Sequence, residues 1–323
     1  MLATGEADDG LRWSHLTLPT VSFAMRWALA GAWRMAGRVS SDRALLYGGA
    51  SGLRILTFHE TLGSGFENMK KIVGWCRRHF TMASPADADE IAAGRWPHTE
   101  DRILVTFDDG WESNFAAARW LADVGIPAIF FIVPSLIGRD ADEYLRFHAG
   151  NRLVPSVPEA SAGARGLSVE QVRAIGAMGH RIGAHNFAHR DLGLLHALPD
   201  VRYEVDNAID SLSQILGSRC DDFAIAFGQP HNISDEAITY LKELESRGLR
   251  VYSCQRGLNV PGKTPSFLLR HACESFHPAN FTRICVEGGG DRRMNERVRY
   301  LQSRVGTLPV ANEYSPAVPG GSS

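Results

Sequence analysis

Seven short apolar runs, most of them separated by stretches with helical spacing, restrict this chain more than any other feature of its sequence. The runs lie at Leu53–His59, Ile103–Phe107, Ala128–Val133, Arg181–Ala184, Asp222–Phe227, Arg250–Cys254 and Phe267–Arg270. Between them, Phe66–Phe80, Asn114–Val124, Val169–Met178, Tyr203–Leu216 and Asp235–Arg247 carry apolar residues at helix-compatible intervals. Gly125, Gly179, Gly217 and Gly248 follow four of these stretches, where a helix C-terminus wants a residue that adopts positive φ easily. Repeated strand-helix units of this kind predict an α/β chain with a parallel sheet or barrel.

The rest of the chain is read as appendage. Residues 1–50 are expected to be an N-terminal helical extension, 51–307 the main domain, and 308–323 a disordered tail rich in Pro, Gly and Ser. Val21–Ala36 has an apolar stripe of Val21, Met25, Ala28, Ala32 and Met35 but is interrupted by Arg26 and Arg34. It is too short to span a hydrocarbon core of about 30 Å, so it is expected to pack on the core or to make a peripheral membrane contact. The first twenty residues carry Glu6, Asp8 and Asp9 and lack the pattern of a secretory signal, which sets the expectation of a cytoplasmic or membrane-peripheral protein. Gly138–Leu167 breaks the rhythm and reads as a long loop, a variable surface insertion or a cover over the site.

Charge and cysteine content exclude some functions. With 36 acidic residues against 34 Lys plus Arg, the net charge of -2 gives no electrostatic footprint for nucleic acid. The five cysteines are odd in number and contain no Cys-x-x-Cys pair, so neither a disulfide framework nor a thiolate zinc site is indicated.

In parallel α/β folds reactive groups gather beyond the carboxyl ends of the strands. Here Ile103–Phe107 runs into Asp108 and Asp109, Arg181–Ala184 into His185, Leu53–Phe58 into His59, and Phe267–Leu269 into Arg270 and His271. Taken alone, Asp-Asp-Gly is a good turn sequence. Two adjacent carboxylates at a strand end also repel unless a cation sits between them or one is protonated, a conflict that a divalent metal resolves. His185 and His189, at i and i+4, would share one face of a helical turn and reach one ion. One Asp and two His leave coordination positions open, as a catalytic metal site requires.

Three segments carry a family resemblance. Ile103-Leu-Val-Thr-Phe-Asp-Asp-Gly110, Gly179-His-Arg-Ile-Gly-Ala-His-Asn-Phe-Ala-His189 and Asp222-Phe-Ala-Ile-Ala-Phe-Gly228 together resemble the polysaccharide deacetylase family with the NodB homology domain. The resemblance spans about residues 50–275 and implies a distorted (β/α)7 barrel and a divalent metal, zinc by default, that activates water to cleave N-acetyl groups. It implies Asp109, His185 and His189 as metal ligands and Asp108 as general base. For the general acid, His59 in Ile55-Leu-Thr-Phe-His-Glu60 resembles the early histidine of a permuted subgroup that includes biofilm poly-N-acetylglucosamine deacetylases, and His271 competes with it. The family's oxyanion-binding amide falls on Phe227, with Ala226 in place of a proline, and Arg270 substitutes for a missing third-motif arginine that orients the base. Asn186 replaces the usual Ser or Thr, and Trp111 is placed either to stack on a sugar or simply to pack.

The expected function is a metal-dependent deacetylase of an amino sugar in a glycan, lipid-linked or nucleotide-linked substrate, within exopolysaccharide or cell-envelope carbohydrate metabolism. The alternatives are an N-acyl or N-formyl amide hydrolase of a small molecule and a catalytically weak carbohydrate-binding relative.

Overall fold

The alternation of strand and helix is realised in the order the sequence predicts. The computed structural model describes residues 31–32, 37–140, 164–273 and 279–311, the side chains of 279–281 excepted. Its elements are α1 (Arg38–Tyr47), β1 (Leu53–Phe58), α2 (Ser64–His79), β2 (Thr81–Met82), α3 (Pro85–Ala92), β3 (Arg102–Phe107), α4 (Ser113–Asp123), β4 (Ala128–Ile132) and α5 (Val169–Ala177). They continue with β5 (Arg181–Ala184), α6 (Leu198–Leu216), β6 (Asp222–Ala224), α7 (Asp235–Ser246), β7 (Arg250–Tyr252), β8 (Arg270–Ala272), α8 (Ala279–Val286) and α9 (Asp291–Val305).

Every strand pairing is parallel, in the order β7-β6-β5-β4-β3-β1-β8, with the short β2 beside β3. The ring is closed by a thin seam: Leu268 N–H donates to Val251 O and Ser253 N–H to Leu268 O, both at 2.8 Å. The result is a nearly closed, distorted barrel wrapped by helices.

Successive strand residues point to opposite faces. Ile103, Val105, Phe107, Phe130, Ile132, Ile182 and Phe223 pack outward against the helices, whereas Leu53, Ile55, Leu104, Ile129, Phe131, Ala224, Tyr252 and Leu268 fill the barrel. Both faces are buried, which is why the strands read as largely apolar runs rather than as alternating ones.

Several sequence expectations need correction. β6 ends at Ala224, short of the predicted Phe227, where Phe227 and Gly228 take left-handed φ of 61° and 57° that no strand continues through, and β7 ends at Tyr252, short of Cys254, whose N–H donates to Gly228 O at 2.8 Å. The last strand is Arg270–Ala272 rather than Phe267–Arg270, since Leu268 serves the seam while Arg270–Ala272 pair with β1. Four elements were not anticipated: β2, α3, α8 and α9. Of these, α3 is preceded by a capping box from Ser84 to Asp87 with Pro85 in its first turn, a legible start signal. The tail expected from residue 308 is packed as far as Ala311: Leu308 is buried and donates to Thr264 O, and Ala311 donates to Gly94 O. The Val21–Ala36 stripe lies outside the described residues except for residues 31–32. Among the described residues no helix is long and apolar enough to cross a membrane.

The amino ends of β5, β6 and β7 are plugged by charge. Buried Asp222 accepts from Arg250 Nε and Nη2 at 2.8 and 2.7 Å and from Tyr252 Oη at 2.6 Å, while Arg181 reaches Asp89 at 2.7 and 2.8 Å. Removing one partner of a buried ion pair strands the other. Asp222→Ala is therefore expected to destabilise the fold by about 3–5 kcal/mol and lower the melting midpoint by roughly 10 °C. A circular dichroism melt superimposing on wild type would show the plug contributes nothing.

Candidate active site

The site forms where strands end. β3 stops at Phe107, and Asp108 N–H donates to Phe58 O at 2.8 Å, which sets His59 beside the two aspartates. Val133 N–H then donates to Asp109 O at 3.2 Å and His185 N–H to Ile132 O at 3.0 Å, carrying the strand-end alignment across to β5. Gly110, at φ 86°, is obligatory: a Cβ there would stand 2.8 Å from Ile132 Cγ2.

Asp109, Asn186, His189 and Phe227 have φ of 76°, 48°, 53° and 61°, and they are the positive-φ residues other than glycine among the described residues. All four belong to this cluster. Each such backbone costs on the order of 1–3 kcal/mol and persists only where surrounding contacts enforce it.

Asp109, His185 and His189 are all buried, with one ligand atom of each within 4.8 Å of the others. Asp109 Oδ1 lies 3.5 Å from His185 Nε2 and 3.6 Å from His189 Nε2, and makes no hydrogen bond among the described residues. Two donors at about 2.1 Å from one tetrahedral ion stand roughly 3.4 Å apart, so the spacing fits a shared divalent cation. His185 Nδ1 is 2.8 Å from Ala224 O, the geometry in which Nδ1–H donates and Nε2 keeps its lone pair for a metal. Burial alone would raise the Asp109 carboxyl pKa, but the facing imidazoles of His185, His59 and His189 outweigh it and hold the group well below the usual carboxylate range. Among the described residues this is the one cluster able to hold an ion.

The two histidines do not meet through a helical turn, as their spacing suggested. Residues 185–189 form an irregular loop, and contacts distant in sequence shape it. Glu204 on α6 is fully buried; its backbone O accepts from Phe187 N–H at 2.8 Å, and its Oε2 accepts from Ala188 and Arg190 N–H at 2.9 and 3.4 Å. Asn186 Nδ2 donates to Arg190 O at 2.7 Å, and Ala226 N–H donates to Asn186 Oδ1 at 3.3 Å. Burial pushes the Glu204 carboxyl pKa up despite those amide bonds. Sequence reasoning missed Glu204; its signal was a carboxylate on the apolar stripe of Val201, Val205, Ala208 and Leu212.

Asp108 is held separately. Its Oδ1 accepts from Arg270 Nη1 at 2.6 Å, and Arg270 is fixed in turn by Ser253 O at 3.0 Å, Thr57 Oγ1 at 3.3 Å and the Phe131 ring at 4.9 Å. Burial raises the Asp108 pKa, but Arg270 with His185 and His59 drives it net downward, so the carboxylate is ionised at neutral pH. Arg270 points into the barrel; its neighbour His271 pairs with Leu56 and by strand alternation faces the helical layer instead. His59 follows inward-facing Thr57 and lies close enough to Asp108 and Asp109 to lower both carboxyl pKa values.

Phe227 sets its ring edge-on to His189 at 4.8 Å, and among the described residues its N–H makes no backbone hydrogen bond. Trp111 is buried, so it offers no face to a sugar; its indole N–H donates instead to Asp109 Oδ2 at 3.1 Å. Most of the Gly138–Leu167 loop, residues 141–163, lies outside the described residues.

Comparison with known proteins agrees with this geometry. Residues 96–249 match the family profile described as polysaccharide deacetylase. Among solved structures, IcaB from Ammonifex degensii is similar with a TM-score of 0.55 and 21% identity, over 74% of this chain and 98% of that one. A Streptococcus pyogenes deacetylase, PplD, in complex with acetate has a TM-score of 0.53 at 15% identity, over 73% of this chain and 99% of its own. A de-N-acetylase from Aggregatibacter actinomycetemcomitans gives 0.54 at 14% identity, over 72% and 99%. At such identities the likeness establishes a shared fold. No curated protein sequence matches the chain significantly. The profile match takes in both the Asp108-Asp109 strand end and the His185–His189 loop, and it bears out the resemblance of this chain to the polysaccharide deacetylases, hydrolases acting on carbon-nitrogen bonds other than peptide bonds.

Proposed function

We propose that this protein is a metal-dependent deacetylase that removes the N-acetyl group of an amino sugar in a glycan or glycan precursor. The observation that carries the reading is one buried strand-end cluster holding two separate devices: a three-atom ligand set on Asp109, His185 and His189, and a carboxylate, Asp108, tethered by Arg270.

Amide hydrolysis needs an activated water, a proton acceptor, charge stabilisation on the carbonyl oxygen and a proton for the departing amine. A divalent ion held by the ligand set, zinc being the default for such donors, supplies Lewis-acid polarisation and acidifies water. Asp108, ionised and aligned by Arg270, accepts the proton of the attacking water. Phe227 N–H donates to the developing oxyanion. His59, on the inward face past the end of β1, protonates the amine as the tetrahedral intermediate collapses.

The test is metal analysis of the purified protein followed by acetate release from polymeric, lipid-linked and nucleotide-linked N-acetylated amino sugars, before and after chelation. Stoichiometric metal and chelator-sensitive acetate release are expected. Neither appearing on any substrate would sink the proposal, and formate release from N-formyl compounds in place of acetate would redirect it to small-molecule amides.

A further inference from the structure

The two carboxylate oxygens of Asp109 have unlike surroundings. Oδ1 faces both imidazole Nε2 atoms, at 3.5 and 3.6 Å, and makes no hydrogen bond among the described residues. Oδ2 accepts the indole N–H of Trp111 at 3.1 Å. We propose that Trp111 is a positioning residue that fixes Asp109 as a one-oxygen metal ligand, an inference that rests on the metal reading above.

The chemistry of the donor supports this role. An indole N–H donates and accepts nothing, so it neither binds a cation nor exchanges a proton with substrate; beside a carboxylate it orients. Free carboxylates ligate through one oxygen or both. With Oδ2 engaged, Oδ1 alone is presented to the ion. Asp109 also sits at φ 76°, a backbone that persists only where surrounding contacts enforce it.

Trp111 is in turn held by more than its own strand-end turn. It packs with Val133, Leu136 and Ala164 in a small cluster apart from the main core, and it bridges antiparallel to Gly166. Glu112 N–H donates to Arg165 O at 2.7 Å and Leu167 N–H to Gly110 O at 2.9 Å, so residues 165–167 clasp the chain on both sides of the indole. Gly166 permits the approach: a Cβ there would fall 2.0 Å from Leu136 O. The returning end of the long segment between β4 and α5 thus sets the indole, the indole sets Oδ2, and Oδ2 sets the ligand atom.

Partners that orient a ligand in this way commonly change metal affinity about 10–100-fold. The experiment compares wild type, Trp111→Phe and Trp111→Gln for zinc affinity by chelator competition, visible absorption of the cobalt-substituted protein, and the melting midpoint without metal. Phe keeps a ring but no donor; Gln keeps an N–H donor but no ring. Trp111→Phe is expected to bind zinc about 10–100-fold more weakly, with a cobalt spectrum shifted towards higher coordination. Trp111→Gln is expected to bind more tightly than Trp111→Phe although its metal-free midpoint is the lower of the two. Affinity that instead tracks the metal-free midpoint, or an unchanged affinity and spectrum in Trp111→Phe, overturns the positioning role while leaving the metal site intact. A wild-type protein that binds no zinc or cobalt overturns the metal reading and this inference together.

Discussion

Asp108→Asn is expected to reduce turnover by about 1,000-fold, the middle of the range for removing a general base, while the folded protein retains its metal. The side chain keeps its size and still offers Arg270 an amide oxygen, so the loss isolates proton acceptance from shape. It also leaves the Arg270 guanidinium, buried beside Thr57, Ser253 and Phe131, without its counter-charge. Breaking a buried pair costs about 3–5 kcal/mol, so a lower melting midpoint should accompany the kinetic loss. The two effects separate by assaying well below that midpoint and normalising to metal content. Turnover within tenfold of wild type under those conditions would exclude Asp108 as the base.

The second large effect concerns the ligand set. His185→Ala and His189→Ala should each drop bound zinc from about one equivalent towards zero at micromolar metal. Transition-state charge stabilisation of several kcal/mol goes with it, a loss of about 1,000-fold or more in turnover. The two variants differ in what else they disturb. His185, just past β5, is anchored to Ala224 O at the end of β6, so its removal leaves that carbonyl without its imidazole donor. His189 sits at φ 53° and packs on Phe227, so Ala there keeps the strained backbone and loses the ring against Phe227, whose N–H is proposed to bind the oxyanion. Excess zinc should restore a chelated wild type and neither variant; full activity of either variant with stoichiometric metal would remove that histidine from the ligand set.

How far the sequence could be read follows from which forces are local. Gly179 to Ala184 reads as a helix stop followed by a strand, and the structure puts β5 at Arg181–Ala184 because that signal is contained in neighbouring residues. The capping box at Ser84 is an equally local signal. The i, i+4 spacing of His185 and His189 suggests a helical turn, whereas a loop held by Glu204 and Asn186 brings them together. Both His59 and His271 end apolar runs, and in the sequence only the resemblance favours His59; the register of β8 on β1, with His271 against Leu56, turns His271 outward.

By itself the sequence determined the alternating α/β architecture, because strands buried on both faces must be apolar throughout and their crossovers must carry helical periodicity. It also determined which chemical groups stand at strand ends. Tertiary structure alone decided which of those groups converge, which oxygen of Asp109 is presented, and how the barrel closes through Leu268. The convergence at the site depends on left-handed backbones at Asp109, Asn186, His189 and Phe227. Side chains such as these hold that conformation only against contacts from residues far along the chain, Glu204 and Ala226 among them, and no periodicity or propensity within a short window encodes such contacts.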